Sequence, residues 1–214
     1  MENKILDNLK RVVLEYDSKG AVDWAKKAIE EKVEPLKALE ALTEAIRQVG
    51  DDFETGERFL PELVAAADAM QKATSILEEE IQRIGAKRES AGVIVMGTVF
   101  GDIHNIGKTM VCTLLTANGF EVIDLGVDVE ASRFIEAIKE HKPDILGMSA
   151  LLTPMASEQR KVIEMVKNEG LRDKVKIMVG GGAIDEAVAK SNGADGYEST
   201  APGAVKLAKR LIGE

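Results

Sequence analysis

Aromatic side chains are scarce: 4% of 214 residues, with a single tryptophan. Cores must therefore be filled by Ala, Val, Ile, Leu and Met, which dominate a hydrophobic fraction of 45%. The length suits one large domain or two small ones. Cysteine is nearly absent. Cys112 stands alone, so an internal disulfide is excluded, which suits a reducing compartment. No apolar run approaches the ~20 residues that span a bilayer. The N-terminus, MENKILDNLKRVVLEYD, is charged and lacks a signal-type run. A soluble, cytoplasmic protein is expected. Basic residues are outnumbered, with a formal net charge of -9 spread over both halves. That balance disfavours nucleic acid and anionic membrane as partners. The histidines are only His104 and His141, too few for a bare zinc site, which wants three or four protein ligands.

Two periodicities are present. Residues 1–88 read as helix throughout. Ile5, Leu6, Leu9, Val12 and Val13 recur at helical spacing. A second helix is expected from about Ala21 to Lys32, with Ser18 as a candidate cap, and a third after Pro35, with Leu36, Leu39, Leu42, Ile46 and Val49 on one stripe. DDFETGERF breaks the pattern, and Pro61 opens a fourth helix. Residues 89–214 alternate short β-branched runs with amphipathic stretches. VIVMGTVF, EVIDLG, DILGMSA, VKIMVGG and a short run near ADGYE read as strands, with helices between them. The expected fold class is α + α/β. An N-terminal four-helix bundle (1–88) precedes a Rossmann-like, flavodoxin-like parallel sheet with helices on both faces (89–214). GAKRESAG reads as the linker between them.

Ligands on an open parallel sheet bind beyond the carboxyl ends of the strands. Three loops at such ends stand out: GDIHNIGK (Gly101–Lys108), MSALLTP (Met148–Pro154) and VGGGA (Val179–Ala183). Asp102 and His104 are two apart. A carboxylate so placed can accept the proton of one imidazole nitrogen and leave the other as a lone-pair donor to a metal. Equally, His104 can be a polar helix-start residue and Asp102 a cap. If His104 does bind a metal, something else must supply most of the ligands, as a macrocycle would. Gly101 and Gly107 leave room for close approach. Gly180, Gly181 and Gly182 either admit a flat or elongated group or simply form a tight turn. Ser149 and Thr153 are ligand hydroxyls or turn residues.

GDIHNIG, the later SALLT and GGGA together resemble the cobalamin-binding module of methionine synthase and of methyltransferase-cognate corrinoid proteins. The pattern is carried by Asp102, His104 and Gly107, then Ser149 and Leu151, then Gly181 and Gly182. GERFLPELVAAADAMQKATSIL resembles the helical cap of methionine synthase, so the resemblance covers nearly the whole chain.

The resemblance implies a cobalamin or related corrinoid whose cobalt takes His104 as lower axial ligand, oriented by Asp102. Asn105 and Ile106 complete the loop. The displaced benzimidazole tail would be lined by Ser149, Leu151 and Thr153, pass Gly181 and Gly182, and reach Tyr197. Phe53, Leu60, Leu63 and Met70 match cap positions over the upper face; for Leu63 and Met70, plain helix core is an equal reading. At the position of the methionine synthase relay serine stands Met155, and a thioether cannot pass a proton.

The implied function is methyl carriage. A donor-specific methyltransferase would load cobalt from methanol, a methylamine, a quaternary amine or a methoxylated compound. A corrinoid:tetrahydrofolate or coenzyme M methyltransferase would unload it, and a reductive activase would maintain it. The protein is not expected to turn over alone, and the cap is expected to swing about the linker. A mutase subunit and a cobalamin-sensing module are the alternatives.

Overall fold

The computed structural model describes residues 2–84 and 90–213. The chain divides into two compact units, Met1–Glu89 and Ser90–Glu214. Of the stretch read as a linker, residues 85–89 lie outside the described residues.

The first unit contains α1 (Glu2–Leu14), α2 (Ser18–Glu30), α3 (Pro35–Thr55) and α4 (Leu60–Arg83). Each sends one apolar stripe inward, and α4 packs on both α2 and α3. Ala21, Ala25 and Ala28 of α2 and Ala66, Ala69 and Ala73 of α4 are buried, and such small side chains let helices approach closely. Asp17 rather than Ser18 caps α2, accepting from the N–H of Gly20. Helix α3 runs a turn and a half past Val49, because Gly56 supplies the left-handed residue that ends it (φ 82). Phe53 therefore belongs to a helix, not to a break. Arg58 ties the α3–α4 turn to the α1–α2 turn, donating to Asp52, the carbonyl of Leu14 and the hydroxyl of Tyr16.

The second unit alternates β1 (Val93–Thr98), α5 (Ile106–Ala117), β2 (Glu121–Asp124), α6 (Ala131–His141), β3 (Ile145–Ser149), α7 (Thr153–Asn168), β4 (Lys176–Gly180), α8 (Glu186–Asn192), β5 (Gly196–Tyr197) and α9 (Ala201–Ile212). Helix α7 begins two residues before Met155, since Pro154 in a first turn has no N–H to leave unpaired. All strand pairs are parallel, in the order β2-β1-β3-β4-β5. This is the expected flavodoxin-like sheet. From β1 the chain first moves outward to β2, then crosses to β3 on the other side. The carboxyl ends of β1 and β3 thus flank the crevice where such sheets take ligands.

One face of this sheet carries Val95, Val99, Leu146, Met148, Ile177 and Val179 against Phe134 of α6 and Val162 and Ile163 of α7. Strand alternation sends Met96, Thr98, Gly147, Ser149 and Gly180 to the other face. Here α5 and α9 pack against each other. Gly97 is needed where Phe134 crosses: a Cβ there would lie 2.6 Å from its ring. Among the described residues, no helix is long and apolar enough to cross a membrane.

Candidate functional site

Val99–Asp102 forms a tight turn at the end of β1, closed by the Asp102 N–H donating to the Val99 carbonyl (3.1 Å). Gly101 occupies its third position at φ 78, a conformation that glycine adopts without strain. The turn directs Asp102 inward, where its side chain is fully buried. A buried carboxylate must be satisfied, and this one is. Oδ1 accepts the His104 N–H at 2.9 Å and contacts His104 Nδ1 at 2.7 Å. Oδ2 accepts the Leu151 N–H, from the loop after β3, at 2.6 Å. Burial pushes the Asp102 carboxyl up, but the N–H groups of Leu151 and His104 and the imidazole together hold it below its ordinary value. An ionised Asp102 makes Nδ1 the protonated nitrogen and leaves Nε2 with its lone pair. The imidazole is half exposed, so that lone pair can meet a ligand.

Thr98 is fully buried at the end of β1 and donates to the His104 carbonyl (3.1 Å). Nothing in the sequence distinguishes it from a strand residue except a hydroxyl within an apolar run. Lys108 is also buried and ion-paired with Asp124 at the end of β2; a lysine in the first turn of a helix hints at such a partner, since the helix dipole disfavours it there. Around His104, the loops after β1, β2 and β3 expose Phe100, Ile103, Ile106, Val127, Leu151 and Leu152. Only Ile106 and Leu151 are foreseeable from the pattern. Exposed apolar side chains on the loops next to one lone-pair donor suit a large flat ligand.

Ser149 ends β3 on the face that also carries Gly147 and Gly180. Thr153 and Asn105 are exposed at the starts of α7 and α5. At Gly107 an added Cβ would have nothing within 4 Å, so space is open there. Gly181 differs: at φ 109, a Cβ would lie 2.2 Å from the Ala150 carbonyl oxygen. The fold itself demands that glycine. At Gly182 a Cβ would meet Leu151 Cδ1 at 2.9 Å. Tyr197 stands in register with Val179 and packs on the α6–α7 side, opposite Ser149. Met155 packs against the same core, with its sulfur 3.0 Å from where a Cβ at Gly101 would be. In the helical unit, Leu63 and Met70 are buried, whereas Phe53 and Leu60 are half-buried at the α3–α4 turn. Among the described residues, no three His, Cys, Asp or Glu side chains gather to hold a metal ion. A metal at His104 would bring most of its ligands with it.

The family profile of the B12 binding domain matches residues 92–206, and a second B12 binding domain profile matches residues 5–78. The chain belongs to the B12-binding-domain family. Its cofactor is accordingly a cobalamin-type corrinoid. Among its relatives, a corrinoid protein of Desulfitobacterium hafniense is 40% identical over 212 residues, 98% of each chain. Dimethylamine corrinoid protein 2 of Methanosarcina acetivorans is 45% identical over 194 residues, 90% of this chain and 88% of that one. Among solved structures, the methanol:cobalamin methyltransferase complex from Methanosarcina barkeri superposes with a TM-score of 0.89 at 29% identity, covering 99% of this chain and 81% of that one.

The residues fit the group. The Asp102-held imidazole, the exposed apolar side chains, and the small residues Gly147, Ser149 and Gly180 on one face match a ligand with a coordinating metal, a flat ring and a narrow appendage.

Proposed function

We propose that this protein is the methyl-carrying corrinoid subunit of a methyltransferase system. One partner methyltransferase loads it from a small donor, a methylamine or methanol. A second unloads it to tetrahydrofolate or coenzyme M, and a reductive activase keeps it competent. Relatives named as dimethylamine and trimethylamine corrinoid proteins support an amine donor, and the methanol:cobalamin methyltransferase complex supports a dedicated partner.

When bound, the corrinoid supplies a metal able to take up and release a methyl group. The chain's own groups do the rest. His104 Nε2 would ligate cobalt, and Asp102 holds Nδ1 so that the ring keeps one tautomer and one direction. The Leu151 N–H fixes the outer carboxylate oxygen. Ile103, Ile106, Leu151 and Leu152 would exclude water from the ring. Ser149, Thr153 and Gly182 would line the tail, whereas Tyr197 packs on the opposite face of the sheet and is left out of that pocket.

The observation that carries this reading is the 2.7 Å Asp102–His104 contact, with exposed apolar side chains on the same and adjoining loops. The test is the electron paramagnetic resonance spectrum of the cobalt(II) holoprotein. Wild type should show splitting from one histidine nitrogen, and His104→Ala should lose it. Identical spectra would overturn the assignment.

A further inference from the structure

We infer that Asp128, in the loop between β2 and α6, is a positioning residue for His104, an inference that rests on His104 being the cobalt ligand. Asp128 grips the Val99–Asp102 turn at two points. Its Oδ1 accepts the Gly101 N–H at 2.7 Å. Its own N–H donates to the Asp102 carbonyl at 2.9 Å. The backbone that allows both is left-handed, at φ 54. A non-glycine residue adopts that conformation at a cost, which Asp and Asn bear more readily than most.

The loop bearing Asp128 is itself anchored. Asp124 accepts the Gly126 N–H at 2.8 Å and pairs with the buried Lys108. The Gly126 carbonyl accepts the Thr98 N–H at 3.0 Å, and the Val129 N–H donates to the Thr98 carbonyl at 3.0 Å. Asp128 is thus a fixed post. Asp102 is held from two directions: its carboxylate by Leu151 from the β3 side, its peptide by Asp128 from the β2 side. The imidazole takes its direction from Asp102, so loosening the turn lets the ring swing. Because both Asp128 and Gly101 are exposed, the loss should fall on coordination more than on folding.

The test uses holoprotein and three variants. Asp128→Gly keeps the left-handed backbone and removes the acceptor. Asp128→Asn keeps both. In the cobalt(II) spectrum, Asp128→Gly should raise the ratio of histidine-off to histidine-on cobalt about three- to tenfold, the range expected for one hydrogen bond. Its melting temperature should stay within about 4 °C of wild type. Asp128→Asn should restore the wild-type ratio. An unchanged ratio in Asp128→Gly, or an equal rise in Asp128→Asn, overturns the inference. His104→Ala separates the two readings: absence of nitrogen splitting already in wild type removes the ligand assignment, and Asp128 with it. If Asp128→Gly fails to fold, amide exchange in the wild-type apoprotein decides. The Gly101 N–H should be protected despite its exposure, and free exchange there overturns the inference.

Discussion

The N–H of Leu151 donates to Oδ2 of Asp102 across 2.6 Å, so the loop after β3 orients a carboxylate that belongs to the loop after β1. The two loops flank the sheet's switch point, and this bond joins them across it. Asp102→Ala would leave the N–H groups of Leu151 and His104 without their acceptor. Each such loss typically costs about 1–3 kcal/mol, so the apoprotein should lose about 2–4 kcal/mol in urea melts. Asp102→Asn keeps an acceptor oxygen and should lose less than half as much. Equal melting midpoints for wild type and Asp102→Ala would show that the bonds contribute nothing net.

Cys112 should be chemically inert in the native state. Burial, with the Asp124 carboxylate adding to it and Lys108 opposing, pushes its thiol up to about 12. At pH 8 the thiolate would then be roughly one part in ten thousand, against about a quarter for an ordinary thiol. Iodoacetamide should alkylate the native chain at least about a hundredfold more slowly than the urea-unfolded one. The native rate should rise with pH throughout the range from 8 to 10. Comparable rates for folded and unfolded chain at pH 8 would contradict it.

Gly97 lies under the ring of Phe134. Gly97→Ala should destabilise the α/β unit by about 1–3 kcal/mol through overpacking. Combining it with Phe134→Leu should cost less than the sum of the two single changes, because each relieves the other. Strict additivity in thermal melts would mean that the two side chains do not meet.

The sheet was legible because its strands are short, β-branched and separated by amphipathic runs. Helix α5 begins where Ile106 follows a polar loop and ends at Asn118-Gly119. The boundaries that shift do so where local signals compete: Pro61 marks a first turn rather than a first residue, Pro154 of the MSALLTP loop falls inside the first turn of α7, and Asp17 outcompetes Ser18 as a cap. At the site, Asp102 and His104 were readable because their spacing makes a local bond possible. Thr98 and Asp128 were not readable, and Lys108 gave only a hint of a partner without naming it. Their partners come from other strand ends, and one sequence does not pair loops that only the sheet brings together. Met155 also changes meaning: Asp102's outer oxygen is already engaged by a backbone N–H, and the thioether packs against the Gly101 turn instead.

Two glycines of the site motif should separate under the same substitution. At Gly181 the backbone is left-handed, with φ 109, and an added Cβ would lie 2.2 Å from the Ala150 carbonyl oxygen. Main chain cannot yield there as a flexible side chain could, so Gly181→Ala should cost the apoprotein about 2–4 kcal/mol. Gly107 is helical and exposed, with nothing within 4 Å of an added Cβ. Gly107→Ala should leave the apoprotein as stable as wild type or up to about 1 kcal/mol more so, because alanine is the better helix former. If the open space beside Gly107 is where the corrin ring comes close, the same methyl group should still weaken corrinoid binding, by about tenfold or more for a misfit worth about 1.4 kcal/mol. Thermal melts of the apoproteins and titration with aquacobalamin test both halves. An intact Gly107→Ala protein that binds as wild type would show that the space above α5 is solvent, not a ligand seat. A Gly181→Ala protein of unchanged stability would show that the third loop can rearrange around Ala150, contrary to the packing described.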